Sequence, residues 1–592
     1  MKGSDRVKSG MFGRGTARRS SVWALVAMVL MALLTVGCDD ESSPTGGELT
    51  APSGVAVSVL TPTSVRITYA PVSGATGYTI QRAEGESGGP FTTVGESSTT
   101  EFEDTDLTPL AVYRYRVAAL TSNGGQSSWS GEARIELPQE APRRAVLTQD
   151  ITEDRTFHAD TVYELSGFIK VTNGATLTIE PGTTIVGDFD IPGSSLFVLR
   201  GARIIAEGTP DKPIVFTSER PVGQRQPGDW GGLIIVGNGI TNRGAPTYIE
   251  GTGTGPANPL VDYSGGTDND DDSGLLRYVR IEFAGFPTAP NEELNSLTMA
   301  AVGRGTTIEY VQVLLGLDDS FEWFGGAVDG RYLISYESAD DHFDMSEGYV
   351  GRVQHAIAFQ SIQPEPRPNL AGGAASDPQG LENDGCWAEN CNGGNANRSA
   401  SAPYTVPVFA NFTLIGPPPG AWESSSGNIG MMLRRGTGGL YVNGAVARYT
   451  RAGISLRGDQ TMERMNEGRL TLRNIYLTDN ATTFQSGAEP GSGESAQYTL
   501  DLAEHGLEEG SLATAELFAA MPTSTQNASA DDFDWTPAAD SPLRVGGLSD
   551  FSGLPSLLQA SVEGFVAPTS YRGAVDPDGP RWWEGWTYYA LH

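Results

Sequence analysis

Glu309-Tyr-Val-Gln-Val-Leu-Leu-Gly-Leu-Asp-Asp-Ser-Phe-Glu-Trp323 and Arg331-Tyr-Leu-Ile-Ser-Tyr-Glu-Ser-Ala-Asp-Asp-His-Phe-Asp-Met345 are two copies of one pattern. Tyr310 matches Tyr332, Asp318-Asp319 match Asp340-Asp341, Phe321 matches Phe343, and Glu322 matches Asp344, always 22 residues on. The strand part recurs earlier at Arg277–Gly285 and later at Val353–Phe359. A period of about 22 residues made of short β-runs and turns marks a solenoid, here a parallel β-helix. One coil cannot bury its apolar strands alone. Stacking at about 4.8 Å lets neighbouring coils share a core. Leucine-rich repeats have a similar period, but their Leu-x-x-Leu-x-Leu pattern is absent.

Working outward, further coils are readable upstream. Phe168–Val171, Thr176–Glu180, Thr184–Val186, Leu196–Leu199, Arg203–Ala206 and Ile214–Thr217 are short apolar alternations broken by Gly, Pro and Asp. Gly174–Gly182 reads as the first full coil, with Ala145–Leu165 as its cap. Residues 145–592 hold about a dozen coils once loops such as Gly251–Asp272 and Ile362–Pro403 are set aside. Trp582, Trp583 and Trp586 are expected to form a C-terminal cap over the far end; an exposed aromatic binding strip is the other reading.

Residues 51–138 follow a different rule. Seven alternating runs (Val55–Leu60, Ser64–Tyr69, Gly77–Arg82, Phe91–Val94, Glu101–Glu103, Val112–Val117, Ala133–Leu137) fit in under 90 residues, which predicts a β-sandwich. Ala51-Pro-Ser-Gly54, Gly77-Tyr78, Leu107–Tyr113 and Ser127-Ser-Trp-Ser130 resemble a fibronectin type III domain, with Tyr69 where that family has a core Trp. Such domains serve as spacers or binding modules. The fold class is therefore all-β: a sandwich followed by a solenoid.

Composition agrees. Charged residues make up 19% of the 592, too few for a coiled coil, and 75 Gly with 36 Pro suit many turns. The net charge is −33, which repels nucleic acid and attracts cations. Six of the 39 basic residues stand before residue 38. Arg18-Arg19 precede the apolar run Val22–Val36, too short for a comfortable membrane span and shaped like a signal peptide. Thr35-Val-Gly-Cys38 resembles a bacterial lipobox, with Thr35 in the usual Leu position. The expectation is a signal peptide over 1–37, lipidation at Cys38, a tether over 38–50, and an exported protein held at the outer membrane or cell surface. Cys386 and Cys391 read as a loop disulfide in an oxidising compartment.

From Gly228–Gly237, Gly265–Asp272, Asn295–Thr298, Gly316–Gly325, Asn411–Gly416 and Gly585–Thr587 the region 145–592 resembles a family of bacterial surface lipoproteins. That resemblance implies a right-handed parallel β-helix and an outer-surface location, and carries little defined biochemistry.

Chemistry can sit in two acidic clusters. Asp268, Asp270 and Asp272, at alternate positions before Gly274, resemble half of a calcium loop, although the twelfth position is Val279. The solvated acidic turn is the alternative. Asp318, Asp319, Glu322, Asp340, Asp341, Asp344 and Glu347 occupy equivalent turns of stacked coils, with Glu382-Asn-Asp384 able to join. Carboxylates about 5 Å apart repel and need a cation, an arginine (Arg331 or Arg352) or backbone caps. Structural calcium is the expected cofactor. The expected function is cell-surface binding of a glycan, a polymer or an outer-membrane partner. The alternatives are a polysaccharide hydrolase or lyase working with Asp318, Asp319, Asp340 and Asp341, and a structural adhesin or surface-layer shaft. An enzyme would lack the Gly-His-Gly and Arg-x-Lys of polygalacturonases. Lysine is nearly absent, so its basic group would come from Arg277, Arg280, Arg304, Arg331 or Arg352. No His pair has zinc-like spacing.

Overall fold

A computed structural model describes residues 49–592 apart from 139–142, 395–397, 425, 488–497, 523 and 527. The expected signal peptide, Cys38 and most of the expected tether lie outside these residues. Among the described residues no helix is long and apolar enough to cross a membrane.

The seven predicted runs of the first domain all form strands. Ala56–Thr61, Ser64–Thr68 and Glu101–Asp104 make one antiparallel sheet, and Thr92–Ser97, Gly77–Glu84, Val112–Leu120 and Ala133–Glu136 the other. Their inward residues, among them Ile67, Tyr69, Ile80, Tyr115 and Val117, are fully buried. Tyr113 closes the corner that its sequence context announced. Its hydroxyl accepts the backbone N–H of Thr108 at 3.0 Å.

From Arg143 onward the strands of the two long sheets are parallel; only the short pairs Pro287–Ala289 with Glu292–Glu293 and Phe518–Ala520 with Asp534–Pro537 are antiparallel among the described strands. A seventeen-strand sheet and a ten-strand sheet run the length of the solenoid, and the chain alternates between them. Thr307–Leu314 lies in the first, Phe321–Phe324 in the second, Asp329–Tyr336 in the first again, and Phe343–Ser346 in the second. The observed register is the repeat offset itself. Leu314 pairs with Tyr336 and Phe321 with Phe343. Alternate side chains of each strand enter the shared core, including Val311, Val313, Phe321, Trp323, Leu333, Phe343 and Met345.

Solenoid strands bend where one residue turns left-handed. Tyr278, Tyr310, Tyr332, His355, Asn411, Asn443 and Asn474 occupy equivalent rungs, all with φ between 50° and 66°. Asn tolerates this region well; Tyr does not. The tyrosines offset the strain by stacking, with centroids 4.5 Å apart from Tyr278 to Tyr310 and again from Tyr310 to Tyr332.

Two expectations about the ends need correction. Ala145–Leu165 is not a separate cap, because Arg143–Leu147 already pairs in parallel with Thr161–Leu165. Leu147, Phe157 and Leu165 are buried in the same core as later coils. The C-terminal tryptophans do not close the far end. The tail runs back along the flank, where Trp586 meets Tyr278 and Tyr310 edge-on and Trp582 packs on Tyr332. Trp582, Trp583 and Trp586 are buried, so they form no exposed binding strip.

Candidate metal centre

The strand Phe321-Glu-Trp-Phe324 alternates, sending Phe321 and Trp323 inward and Glu322 outward. Asp344 pairs with Glu322 on the next rung, and Glu382 pairs with Asp344 on the rung after. Three carboxylates thus stand in one outward column. The turns entering these strands add Asp318 and Asp319, then Asp340 and Asp341. Together they line an open cavity of about 490 Å³, whose rim carries Glu250, Glu293 and Asp377. The small residues 371–376 form one wall and leave it wide.

Within this recess the carboxylates converge. Ligand atoms of Asp318, Asp319 and Asp340 lie within 4.8 Å of one another, as do those of Asp319, Glu322 and Asp344. Asp319 belongs to both groups. Two oxygens bound to one calcium ion at about 2.4 Å can be at most about 4.8 Å apart, so both groups fit a hard cation. Asp319 also accepts the backbone N–H of Asp341 at 2.9 Å, and Asp341 accepts that of Gln379. Turn capping and ion binding, opposed as alternatives in the sequence, are thus compatible in one side chain. On the described lining of the recess, two buried oxygens are left without a hydrogen-bond partner: Oδ1 of Asp344 and Oδ1 of Asn295. Asn295 is 2% exposed, lines the recess and donates its Nδ2 to Glu322.

Electrostatics follow from this crowding. Burial, then the neighbouring charges, hold Asp318, Asp319, Glu322, Asp340, Asp341 and Asp344 well above the ordinary carboxylate range. Burial pushes Glu382 up to about 7 even though Arg434 opposes it. Burial works the same way on Asp384, but Arg434 and Arg435 outweigh it and hold that carboxyl below its usual value.

The compensating arginine is not one of those expected. Arg434 lines the recess and pairs with Glu382 and Asp384. Arg352 is bound to Asp329 instead, and Arg331 lies over the Phe565 ring at 4.0 Å. Arg277, Arg280 and Arg304 do not line the recess either. Glu347 leaves the cluster to bond Arg243 and the Tyr263 hydroxyl, because its strand end faces that loop. Asp268, Asp270 and Asp272 stand exposed on a separate loop. Asp268 and Asp272 accept backbone N–H groups two residues on, and Asp272 pairs with Arg203. These three do not converge into a ligand group. Cys386 and Cys391 are joined as a disulfide, with Cα atoms 6.0 Å apart.

Comparison with known proteins bears on the scaffold. Residues 149–536, more than half of the chain, match the model described as a pectate-lyase-like β-helix domain. The chain belongs to that family. Residues 50–136 match the fibronectin type III domain. The acidic recess therefore sits on the coils of the pectate-lyase-like β-helix domain, within the matched residues. A comparison with curated proteins returned no match. Solved structures with similarity include the twitchin kinase region from C. elegans (23% identity, TM-score 0.15), of which this chain spans 17%, with 16% of this chain covered. They also include domains A168–A170 from titin (23% identity, 16% of this chain and 33% of that one, TM-score 0.14). The FN5 domain of Drosophila Lar aligns at 27% identity over 15% of this chain and 97% of that one, with a TM-score of 0.14.

Proposed function

We propose that the protein is a lipid-anchored surface protein that holds calcium in the acidic recess and uses it to bind an anionic partner, an acidic glycan or polymer. Cys38 is the anchor, the tether and fibronectin type III domain hold the β-helix off the membrane, and the recess faces solvent. The observation that carries this reading is the pair of three-carboxylate groups sharing Asp319, beside the orphaned oxygens of Asp344 and Asn295. Unneutralised carboxylates at this spacing repel strongly. A bound divalent ion offsets that repulsion, and the coordination positions the protein does not fill are open to a ligand's own carboxylates. No aromatic ring lines the recess among the described residues, which favours capture through the metal over stacking on a sugar face.

Thermal unfolding of the purified full chain tests this. Calcium at 100 times its Kd is expected to add about 2.7 kcal/mol. The melting temperature falls in EGTA and returns with calcium but not magnesium, because magnesium demands a tighter octahedral site. An unchanged melting temperature rejects the metal centre.

The second reading is a polysaccharide hydrolase or lyase on the same carboxyls. Its support is the divergence between Glu382, pushed up to about 7, and Asp384, held below its usual value, two residues apart on one strand. Release of reducing or unsaturated ends from acidic polysaccharide, lost in Asp340→Asn, decides for it.

A further inference from the structure

The turn that delivers Asp318 and Asp319 borders a second cavity through Leu315. It measures about 560 Å³, the size of a small-molecule site. Ile362, Pro418, Pro522 and Leu591 give it apolar walls, Glu365 stands exposed on its lining, and Arg448 enters from the following coils. The Arg448 guanidinium is half-buried. Its Nε donates to the Gly416 carbonyl at 2.7 Å and its Nη2 to the Gln360 carbonyl at 2.9 Å. Its carbon centre lies 5.5 Å from the Phe359 ring centroid.

No carboxylate among the described residues forms an ion pair with Arg448, although a buried cation ordinarily requires one. Glu337 is the carboxylate whose charge it feels most, and Glu337 is fully committed elsewhere. It accepts the Ser361 and Ile362 N–H groups at 2.8 and 3.2 Å, the Ser361 hydroxyl, and the Tyr589 hydroxyl at 2.5 Å. Carbonyl dipoles hold the guanidinium in place but do not cancel its charge. Desolvation accordingly lowers its hold on its proton.

We propose that this cavity binds a small amphipathic organic anion, with its carboxylate or sulfonate on Arg448, away from Glu365, and its apolar body against Ile362, Pro418 and Leu591. The site is separate from the acidic recess and does not depend on the metal.

Fluorescence titration of the purified full chain with 8-anilinonaphthalene-1-sulfonate, at saturating calcium and again in EGTA, tests the assignment. The expected result is one saturable site in both conditions. Arg448→Gln weakens it by at least about tenfold, the worth of a hydrogen bond to a charged group. That variant also loses two contacts to the backbone. Ile362→Trp therefore serves as the deciding variant, because it fills the cavity and leaves Arg448 in place. Loss of the site in Ile362→Trp at unchanged melting temperature supports the proposal. Failure to find a saturable site, or full binding by Ile362→Trp, overturns it.

Discussion

On one flank of the solenoid Tyr278, Tyr310 and Tyr332 stack rung upon rung; on the ten-strand sheet Glu322, Asp344 and Glu382 stand in the same kind of column. A parallel β-helix repeats a side chain every 4.8 Å or so, and this multiplies whatever that side chain does to its own kind. Aromatic rings attract at that spacing, and the tyrosine column is sealed by Trp582 and Trp586 from the same chain. Carboxylates repel, and the recess they line stays open among the described residues. Arg434 answers only one end of the column. The first column completes itself, whereas the second is where we propose that a cation from solution is bound.

The largest effect that separates the two belongs to the sealed side. Trp586→Ala removes a side chain that is 1% exposed and is expected to cost about 3–5 kcal/mol. Calorimetry in calcium and in EGTA should give the same loss. A loss that depends on calcium would mean that the columns are coupled.

Next in size is the pH dependence of the metal-free protein. The recess carboxyls hold protons more tightly folded than unfolded, so the folded chain binds more of them above pH 4. Their contribution is complete below the unfolded values and is lost as pH rises through the folded ones, near 7 for Glu382. Stability in EGTA should therefore drop by on the order of several kcal/mol between pH 5 and pH 8. Calcium should flatten the curve. A melting temperature that climbs over this range in EGTA contradicts the assigned repulsion.

Asp319→Asn gives the smallest effect and the sharpest contrast. Asparagine still accepts the Asp341 N–H but removes the charge common to both ligand groups. The variant should be more stable than the parent in EGTA by about 1–2 kcal/mol, and less stable than it in calcium. Identical ranking in both buffers would leave Asp319 as a turn cap alone.

Much of this was legible beforehand because equal spacing forces equal position. The 22-residue offset is the observed register, so Asp318 and Asp340, or Glu322 and Asp344, had to be neighbours. The seven sandwich strands were equally plain from alternation and turns. Legibility failed where an excursion breaks the period. Arg434 reaches Glu382 from 52 positions away, across a loop whose length carries no phase. Glu250 and Glu293 arrive from excursions as well, and their approach is set by three-dimensional contacts that no local pattern encodes. The tryptophans misled for a related reason. A cluster of large apolar residues announces that it will be buried, but not against what.

The returning tail sets an order of events. Tyr588 donates its N–H to Gln312 and accepts that residue's Nε2–H at its carbonyl, across 276 positions of sequence. The coils around Gln312 are synthesised long before their cover exists. Until Trp582 to Tyr589 emerge, a bare ladder of tyrosines is exposed. A chain interrupted before Trp582 carries that ladder permanently, so this short segment distinguishes a covered solenoid from a fragment that chaperones and proteases can still recognise.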